Sequence, residues 1–405
     1  MMLQRMKMGL IFALTYMCFL APVHQGQLTS PSISDLSIKN MDFAMNLYRE
    51  ISSYHDKNIF FSPMSISTSF AALLMGTGGV THAELLQGLK LEELERANQP
   101  ELIPTLFKLL HDNITQNGSL KLDQGMALFM HQQFEVEKEF ENKIKTFFHA
   151  DIQMVDFSDT LRSARFINNY IKKKTDDKVV EMISTLDPIT QLMLIDTIFF
   201  QGAWQIPFNP NFTQSAPFYI DNYNIVQVPM MFVEDKFYVM EDISLGVKVL
   251  KLPYHGGVSM LILLPNKGKD YTVIDDEITA QKFLSWVRGL KKVKMEVNMP
   301  KFKMMQSYSL HNLLPYMGMA SVFSNSANLT RLSKDGAIKV SEVLHKAVIE
   351  LDETGTTAAA ATTTGITPYS LPRTFTVNRP FFFFIYHEET NCLLFMGRVI
   401  DPTRN

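Results

Sequence analysis

From residue 35 onward the chain carries helical spacing first and strand spacing later. Within 41–54, Phe43, Ala44, Leu47, Tyr48 and Ile51 recur at intervals of three and four, the stripe of an amphipathic helix. Ser62 and Pro63 predict the next helix start, with Ser as cap and Pro in the first turn. The run 66–75 then continues without a charge, as a buried helix would. Further helices are predicted over 101–112, 137–148 and 160–175. Beyond them 191–200 is almost entirely apolar, the pattern of a strand buried on both faces. Residues 247–252 and 259–264 predict a strand pair across the turn at 253–257, and 293–300, 340–349, 381–387 and 393–399 predict more strands. Helices early and strands late, without alternation, argue for an α+β fold.

One segment breaks the pattern. Between two strong strands, 355–367 reads Gly-Thr-Thr-Ala-Ala-Ala-Ala-Thr-Thr-Thr-Gly-Ile-Thr, with no large side chain before Ile366. Composition alone fits a solvated loop, yet the threonines favour strands. The segment has the makeup of a loop able to become a strand.

Arg5 and Lys7 precede an uncharged apolar stretch at 8–20 and a polar segment at 22–27. That order is a secretory signal, here taken as 1–24 and followed by a tail at 25–35. The apolar stretch is too short for a membrane span, so the expectation is a secreted, extracellular protein with no membrane span. Apolar residues at 46% allow a large core, and a net charge of -3 removes the electrostatic motive for nucleic acid. Cys18 falls in the signal, which leaves Cys392 alone and excludes an intrachain disulfide; a buried small side chain is expected there. Sequons at Asn113, Asn117, Asn211 and Asn328 are candidate glycosylation sites. The clusters Lys172 to Lys174 and Lys291, Lys292 with Lys294 are candidate contacts for a heparin-like polyanion, although a solvated face is the commoner reading of each. Hydrolase, metalloprotease and phosphate-loop motifs are absent from the sequence, as are clustered Cys and His for zinc, so neither an enzyme nor a metal or small cofactor is expected.

Nine ordered fragments resemble the serpin superfamily from about residue 36 to the C-terminus. They are Asn58 to Ile66, Met75 to Thr81, Ile167 to Thr175 (with Tyr170 where the family usually has Trp), Thr197 to Trp204, Val228 to Met231, Leu252 to Tyr254, Met299 to Phe302, Asn378 to Phe381 and Leu394 to Val399. The resemblance implies a single domain over 36–405, with helices packed around three β-sheets, a large central sheet and an exposed reactive-centre loop at 353–372. It implies a monomeric single-use inhibitor of serine proteases, with a non-inhibitory member that carries a hormone or acts as a chaperone, or an inhibitor of a chymotrypsin-like protease without a cofactor, as the alternatives.

By the same resemblance Glu353, Gly355, Thr356, Ala358 and Ala360 form the hinge of that loop. In inhibitory members the scissile bond lies sixteen residues past the hinge glutamate, here Tyr369–Ser370. Arg373, four residues further on, is the competing bait for a trypsin-like enzyme. The inward positions of an inserting strand, Thr356, Ala358, Ala360, Thr362 and Thr364, are all small and uncharged, and Gly355 suits a pivot. An aromatic residue at the bond suits a chymotrypsin-like pocket. The loop is most similar to the branch of the family that uses protein Z as a cofactor protein and activated factor X as a target. That branch implies protein Z contacts at Asp56, Asp221, Tyr223 and Asp276, with Ser53 standing where its members carry methionine.

Overall fold

The computed structural model describes residues 31–54, 56–116, 120–335, 338–354 and 373–404. The expected signal at 1–24 and the first part of the expected tail, 1–30 in all, lie outside them. The chain divides into Met1–Pro31 and a compact unit Ser32–Asn405, and the helices and strands of the described residues belong to the second.

The helices are α1 (Ile33–Tyr54), α2 (Pro63–Leu74), α3 (Gly79–Gly88), α4 (Leu102–Thr115), α5 (Lys138–Phe148), α6 (Thr160–Lys174), α7 (Thr272–Asp275) and α8 (Ala280–Gly289). Helix α1 begins earlier than its periodicity predicts because its first turn is capped reciprocally. The Ser32 amide donates to Asp35 Oδ2 at 2.7 Å, and the Asp35 amide donates to Ser32 Oγ at 3.3 Å, a capping-box arrangement. Helix α2 starts as predicted: Ser62 Oγ accepts the Ser65 amide, Pro63 occupies the first turn, and every residue of the helix is buried. Helices α3, α7 and α8 have no counterpart in the predicted elements. On α3 only Thr81, Leu85, Leu86 and Gly88 are buried, too short a stripe to read as a period.

The strands are β1 (Ile59–Phe61), β2 (Leu120–His131), β3 (Asp151–Val155), β4 (Leu192–Gly202), β5 (Gln214–Tyr219), β6 (Ile225–Asp242), β7 (Val247–Pro253), β8 (Val258–Pro265), β9 (Lys291–Pro300), β10 (Phe302–Ser309), β11 (Val340–Leu351), β12 (Arg373–Thr376), β13 (Phe381–His387) and β14 (Leu393–Val399). Among the described residues they form two sheets, not the three expected. The larger runs β1-β14-β13-β8-β7-β6-β9-β12 with β5 on β6, and the smaller runs β10-β11-β4-β2-β3. The reason is β6, an 18-residue strand that pairs first with β5, then with β9 and finally with β7. It fuses into one sheet what shorter strands would have kept as two.

The core lies between the sheets and α1, α2 and α8. Strands β13 and β14 are buried along their whole length. One polar cluster is enclosed there. Tyr48 of α1 donates to Asp275 of α7, Arg398 Nη1 of β14 donates to the same carboxylate at 2.5 Å, and Arg398 Nη2 donates to the Lys57 carbonyl at 3.1 Å. Removing one member of a buried charged pair typically costs about 3 kcal/mol. Asp275→Ala is therefore expected to lower the unfolding free energy by about that amount, read as a lower urea midpoint.

Candidate functional site

The polypeptide on either side of 355–372 is fixed firmly. On the N-terminal side, β11 ends at Leu351 and the next three residues are clamped by the segment after β4. Trp204 Nε1 donates to the Asp352 carbonyl at 3.0 Å, the Trp204 amide to the Thr354 carbonyl at 3.2 Å, and the Phe208 amide to the Glu353 carbonyl at 2.9 Å. The Trp204 ring stacks on Tyr254, with centroids 4.0 Å apart and planes 14° apart. Gly202 permits this: a Cβ there would lie 2.8 Å from the Tyr254 ring.

Glu353 is the polar anchor. Lys301 Nζ donates to its Oε2 at 2.9 Å and Thr213 Oγ1 to its Oε1 at 2.8 Å. Burial works to raise its pKa, but the hydrogen bonds from Lys301, its own backbone and Thr213, with the Lys301 charge, outweigh burial and hold the carboxyl below the usual range. A carboxylate depressed in the fold contributes stability above its unfolded pKa, near 4.3, and loses it as pH falls through the lower folded value. Lys301→Ala is expected to cost about 1 kcal/mol at pH 7, as a part-exposed ion pair does. That cost should fade as pH drops below about 4, measured by urea midpoints at both ends of the range.

On the C-terminal side, Arg373–Thr376 forms β12, paired in parallel with Met295–Asn298 of β9. Asn298 Nδ2 donates to Thr376 Oγ1 at 3.3 Å, and the Val377 amide donates to the Asn298 carbonyl at 2.9 Å. Arg373 thus sits in a sheet, where a protease cannot wrap its subsites around an extended free backbone.

Between these anchors, β4 and β11 are parallel neighbours in continuous register from Leu194 opposite Val343 to Phe200 opposite Ile349. At the middle of this ladder Asp196 of β4 faces His345 of β11, both essentially without solvent exposure. The Ser62 amide donates to His345 Nε2 at 3.1 Å, so that nitrogen is the acceptor and Nδ1 carries the proton. Nδ1 then donates to Asp196 Oδ2 at 2.8 Å, and Ser65 Oγ donates to Asp196 Oδ1 at 2.5 Å. The network joins two inner strands of the smaller sheet to the start of α2. Over the same sheet, Asn168 of α6 holds the following segment through Ile183 and Met182, and Lys346 Nζ of β11 donates to the Glu181 carbonyl at 2.6 Å.

Of the residues singled out in the sequence, Glu353 is the one hinge member that is described. Gly355, Thr356, Ala358, Ala360, Tyr369 and Ser370 lie outside the described residues, as does Asn117. Asp56 and Asp276 come to one region: Asp56 accepts from Tyr271 Oη at 2.7 Å, and Asp276 caps α7, which starts just after Tyr271. Asp221 and Tyr223 form the β5–β6 turn, where Asp221 accepts from the Tyr223 and Asn224 amides at 2.7 Å each and Tyr223 is 93% exposed. No contact among the described residues joins the two pairs. Asn211 is exposed, Asn328 is half-buried and accepts from Thr330 Oγ1 at 2.8 Å, and Asn113 has its side-chain oxygen buried on α4. Cys392 is buried, and burial pushes its thiol pKa up to about 12, which suits a packed side chain and not a nucleophile. The sequence did not point to Asp196, His345, Ser62 and Ser65 as one unit. A single acid inside the apolar run 191–200 was the available signal.

Comparison with known proteins bears on this geometry. The profile of the family described as Serpin (serine protease inhibitor) matches residues 38–402. The human Protein Z-dependent protease inhibitor is 39% identical over 373 residues, covering 92% of this chain and 84% of that protein. The crystal structure of the mouse protein Z-dependent protease inhibitor superposes with a TM-score of 0.85 at 37% identity, covering 91% of this chain and 98% of that one. Human thyroxine-binding globulin complexed with thyroxine superposes with a TM-score of 0.85 at 31% identity, covering 92% and 100%.

Proposed function

The chain belongs to the serpin family of serine protease inhibitors, and from that premise we propose that it is a secreted inhibitor that traps its target at Tyr369. The protease attacks the Tyr369 carbonyl, forms an acyl-enzyme and releases the new amino terminus at Ser370. The freed strand from Gly355 onward then enters the smaller sheet between β4 and β11 and carries the attached protease with it.

The observation that carries this reading is the parallel pairing of β4 and β11. A strand that follows β11 through a tight turn runs antiparallel to it, and therefore antiparallel to β4 as well. Insertion replaces one parallel ladder by two antiparallel ones, which pair slightly better per residue. The small side chains from Thr356 to Thr364 can be covered without burying a charge, and the pairing of Arg373 with Met295 of β9 supports Tyr369 over Arg373 as the bait.

Tyr369 fits a chymotrypsin-like pocket better than one with an Asp at its base. Activity against activated factor X would need affinity from elsewhere, and a cofactor that tethers both partners raises effective concentration without new loop contacts. The relatives named for dependence on protein Z support that cofactor here. Asp56 and Asp276 by α7, with Asp221 and Tyr223 on the β5–β6 turn, are its proposed contacts. Asn211, being exposed, is the leading glycosylation site, and 1–24 is the proposed signal.

The test is intact mass after incubation with activated factor X, calcium and phospholipid, with and without protein Z. The expected result is a denaturant-stable adduct plus a released peptide beginning at Ser370, with faster formation when protein Z is present. Clean cleavage after Tyr369 without an adduct would overturn the trap against this target, and chymotrypsin would be tried next. No cleavage by either enzyme would favour the non-inhibitory reading, a carrier of a small ligand, and thyroxine-binding globulin shows that this fold can bind one.

A further inference from the structure

Two histidines on different helices meet where α4 packs against α5. His111 lies near the end of α4, and His149 caps the end of α5 in the left-handed region, at φ 51° and ψ 29°, where histidine is among the better tolerated side chains. Their ring centroids are 5.7 Å apart with the planes at 50°, neither the stacked nor the edge-to-face arrangement that aromatic pairs favour. The helices are held together around them. Phe107 packs on Phe148 with centroids 6.1 Å apart, and Lys108 Nζ donates to the Thr146 carbonyl at 3.1 Å. Among the described residues neither imidazole has a hydrogen-bond or ion-pair partner, whereas His82, His131, His311, His345 and His387 each commit a ring nitrogen to one.

We propose that His111 and His149 together bind a divalent transition-metal ion, zinc or copper, which ties α4 to α5. Metal–nitrogen bonds of about 2.0–2.1 Å place two imidazoles on one ion with their centroids about 5–6 Å apart, and the observed 5.7 Å lies in that span. Imidazole suits zinc, copper and nickel, with copper the tightest of the divalent series, while calcium and magnesium seek oxygen ligands. His149 is exposed and His111 half-buried, so one ring is packed in place and the ion can enter from solvent. A ligand imidazole must be unprotonated. Burial, and after it the charge of His149, lower the His111 pKa against the weaker pull of Asp112, so at neutral pH that ring is in its binding form. No group of three His, Cys, Asp or Glu among the described residues could hold a metal. The remaining positions on the ion therefore go to water, and affinity rests on the two rings.

The ion would act as a staple beside the smaller sheet. Helix α5 runs through His149 and Ala150 straight into β3, the edge strand of that sheet, and β2, its neighbour, follows α4 in the chain. An ion that binds the folded pair and not the unfolded chain stabilises the fold as its concentration rises. The sequence carries no sign of this site, because the two residues belong to different helices and neither stands in a metal-binding spacing. The inference does not rest on the proposed inhibition and is tested without it.

The experiment titrates the full-length protein with zinc chloride, and separately with copper sulfate, by calorimetry. Wild type is expected to bind a single ion of either kind at this site, copper more tightly than zinc, with no binding heat from calcium or magnesium at the same concentration. His111→Gln and His149→Gln should each weaken binding by about tenfold or more, at least what loss of a mere supporting group costs. His255→Gln, which removes an exposed imidazole elsewhere, should bind as wild type does. Zinc should raise the thermal midpoint of wild type and of His255→Gln, and leave those of the other two variants where they stand without metal. The paramagnetic resonance spectrum of the copper complex should carry the splitting of two coordinated nitrogens, lost in either variant of the pair. The inference is overturned if wild type binds neither ion, if binding survives in either His111→Gln or His149→Gln, or if the loss follows His255→Gln. Should His111→Gln lower the midpoint without metal, His149→Gln, which alters the exposed ring, decides the outcome.

Discussion

Thr356→Arg is expected to convert the protein from an inhibitor into a substrate. On the proposed mechanism Thr356 is the first inward position of the inserting strand, so its side chain would have to enter between β4 and β11 before any other. Burying an unpaired charge costs several kcal/mol, and each 1.4 kcal/mol added to a barrier slows a step about tenfold. Insertion competes with hydrolysis of the acyl-enzyme, so a slowing of about a hundredfold or more hands the outcome to hydrolysis. Cleavage at Tyr369–Ser370 should continue at its original rate, because Thr356 is remote in sequence from that bond. The yield of denaturant-stable adduct should fall from most of the protease to a trace. An unchanged adduct yield with the arginine in place would sink the insertion mechanism. Thr357→Arg is the matched control: the neighbouring side chain points the other way on a strand and should leave the yield nearly intact.

The route from sequence to that expectation was uneven, for physical reasons. Strongly periodic or wholly apolar elements were legible. Residues 137–148 and 160–175 became α5 and α6, and 381–387 and 393–399 became β13 and β14 within a residue. Strand β6 was not legible, because it is half-exposed along most of its length and interrupted by Pro229 and by charges at Glu234, Asp235 and Lys236. Its pairings on both sides hold it extended, and they come from distant chain. The hinge glutamate was legible as a position but not as a chemistry: Lys301 and Thr213 lie 52 and 140 residues away. Register is the other missing quantity. Lys236 and Lys294 are ordinary surface lysines until the ladder sets them face to face, and Asp196 and His345 are an isolated acid and an isolated imidazole until β4 lies beside β11.

That last pair supports the second large effect. Asp196→Ala should weaken the closed sheet far more than the sheet that has accepted the loop. In the closed form Asp196 accepts from His345 Nδ1 across the β4–β11 ladder and from Ser65 Oγ. A strand placed between β4 and β11 moves them apart by about one further strand spacing, 4.8 Å, so the Asp196–His345 bond cannot survive insertion. Hydrogen bonds to a charged group contribute about 1.5–3 kcal/mol each. The closed form therefore loses about 3 kcal/mol or more in the variant, and the inserted form loses only what Asp196 still makes there. The measurement is thermal unfolding of the uncleaved protein and of protein cleaved at Tyr369 with its loop inserted. The uncleaved variant should melt several degrees lower than wild type, and the cleaved variant should shift by less than half as much. The uncleaved variant should also lose inhibitory activity faster on mild heating, as the loop enters the sheet without cleavage. Equal shifts in both forms would show that Asp196 and His345 merely brace the core. A shift confined to the uncleaved form would identify them as the clasp that holds the sheet shut until the loop is cut.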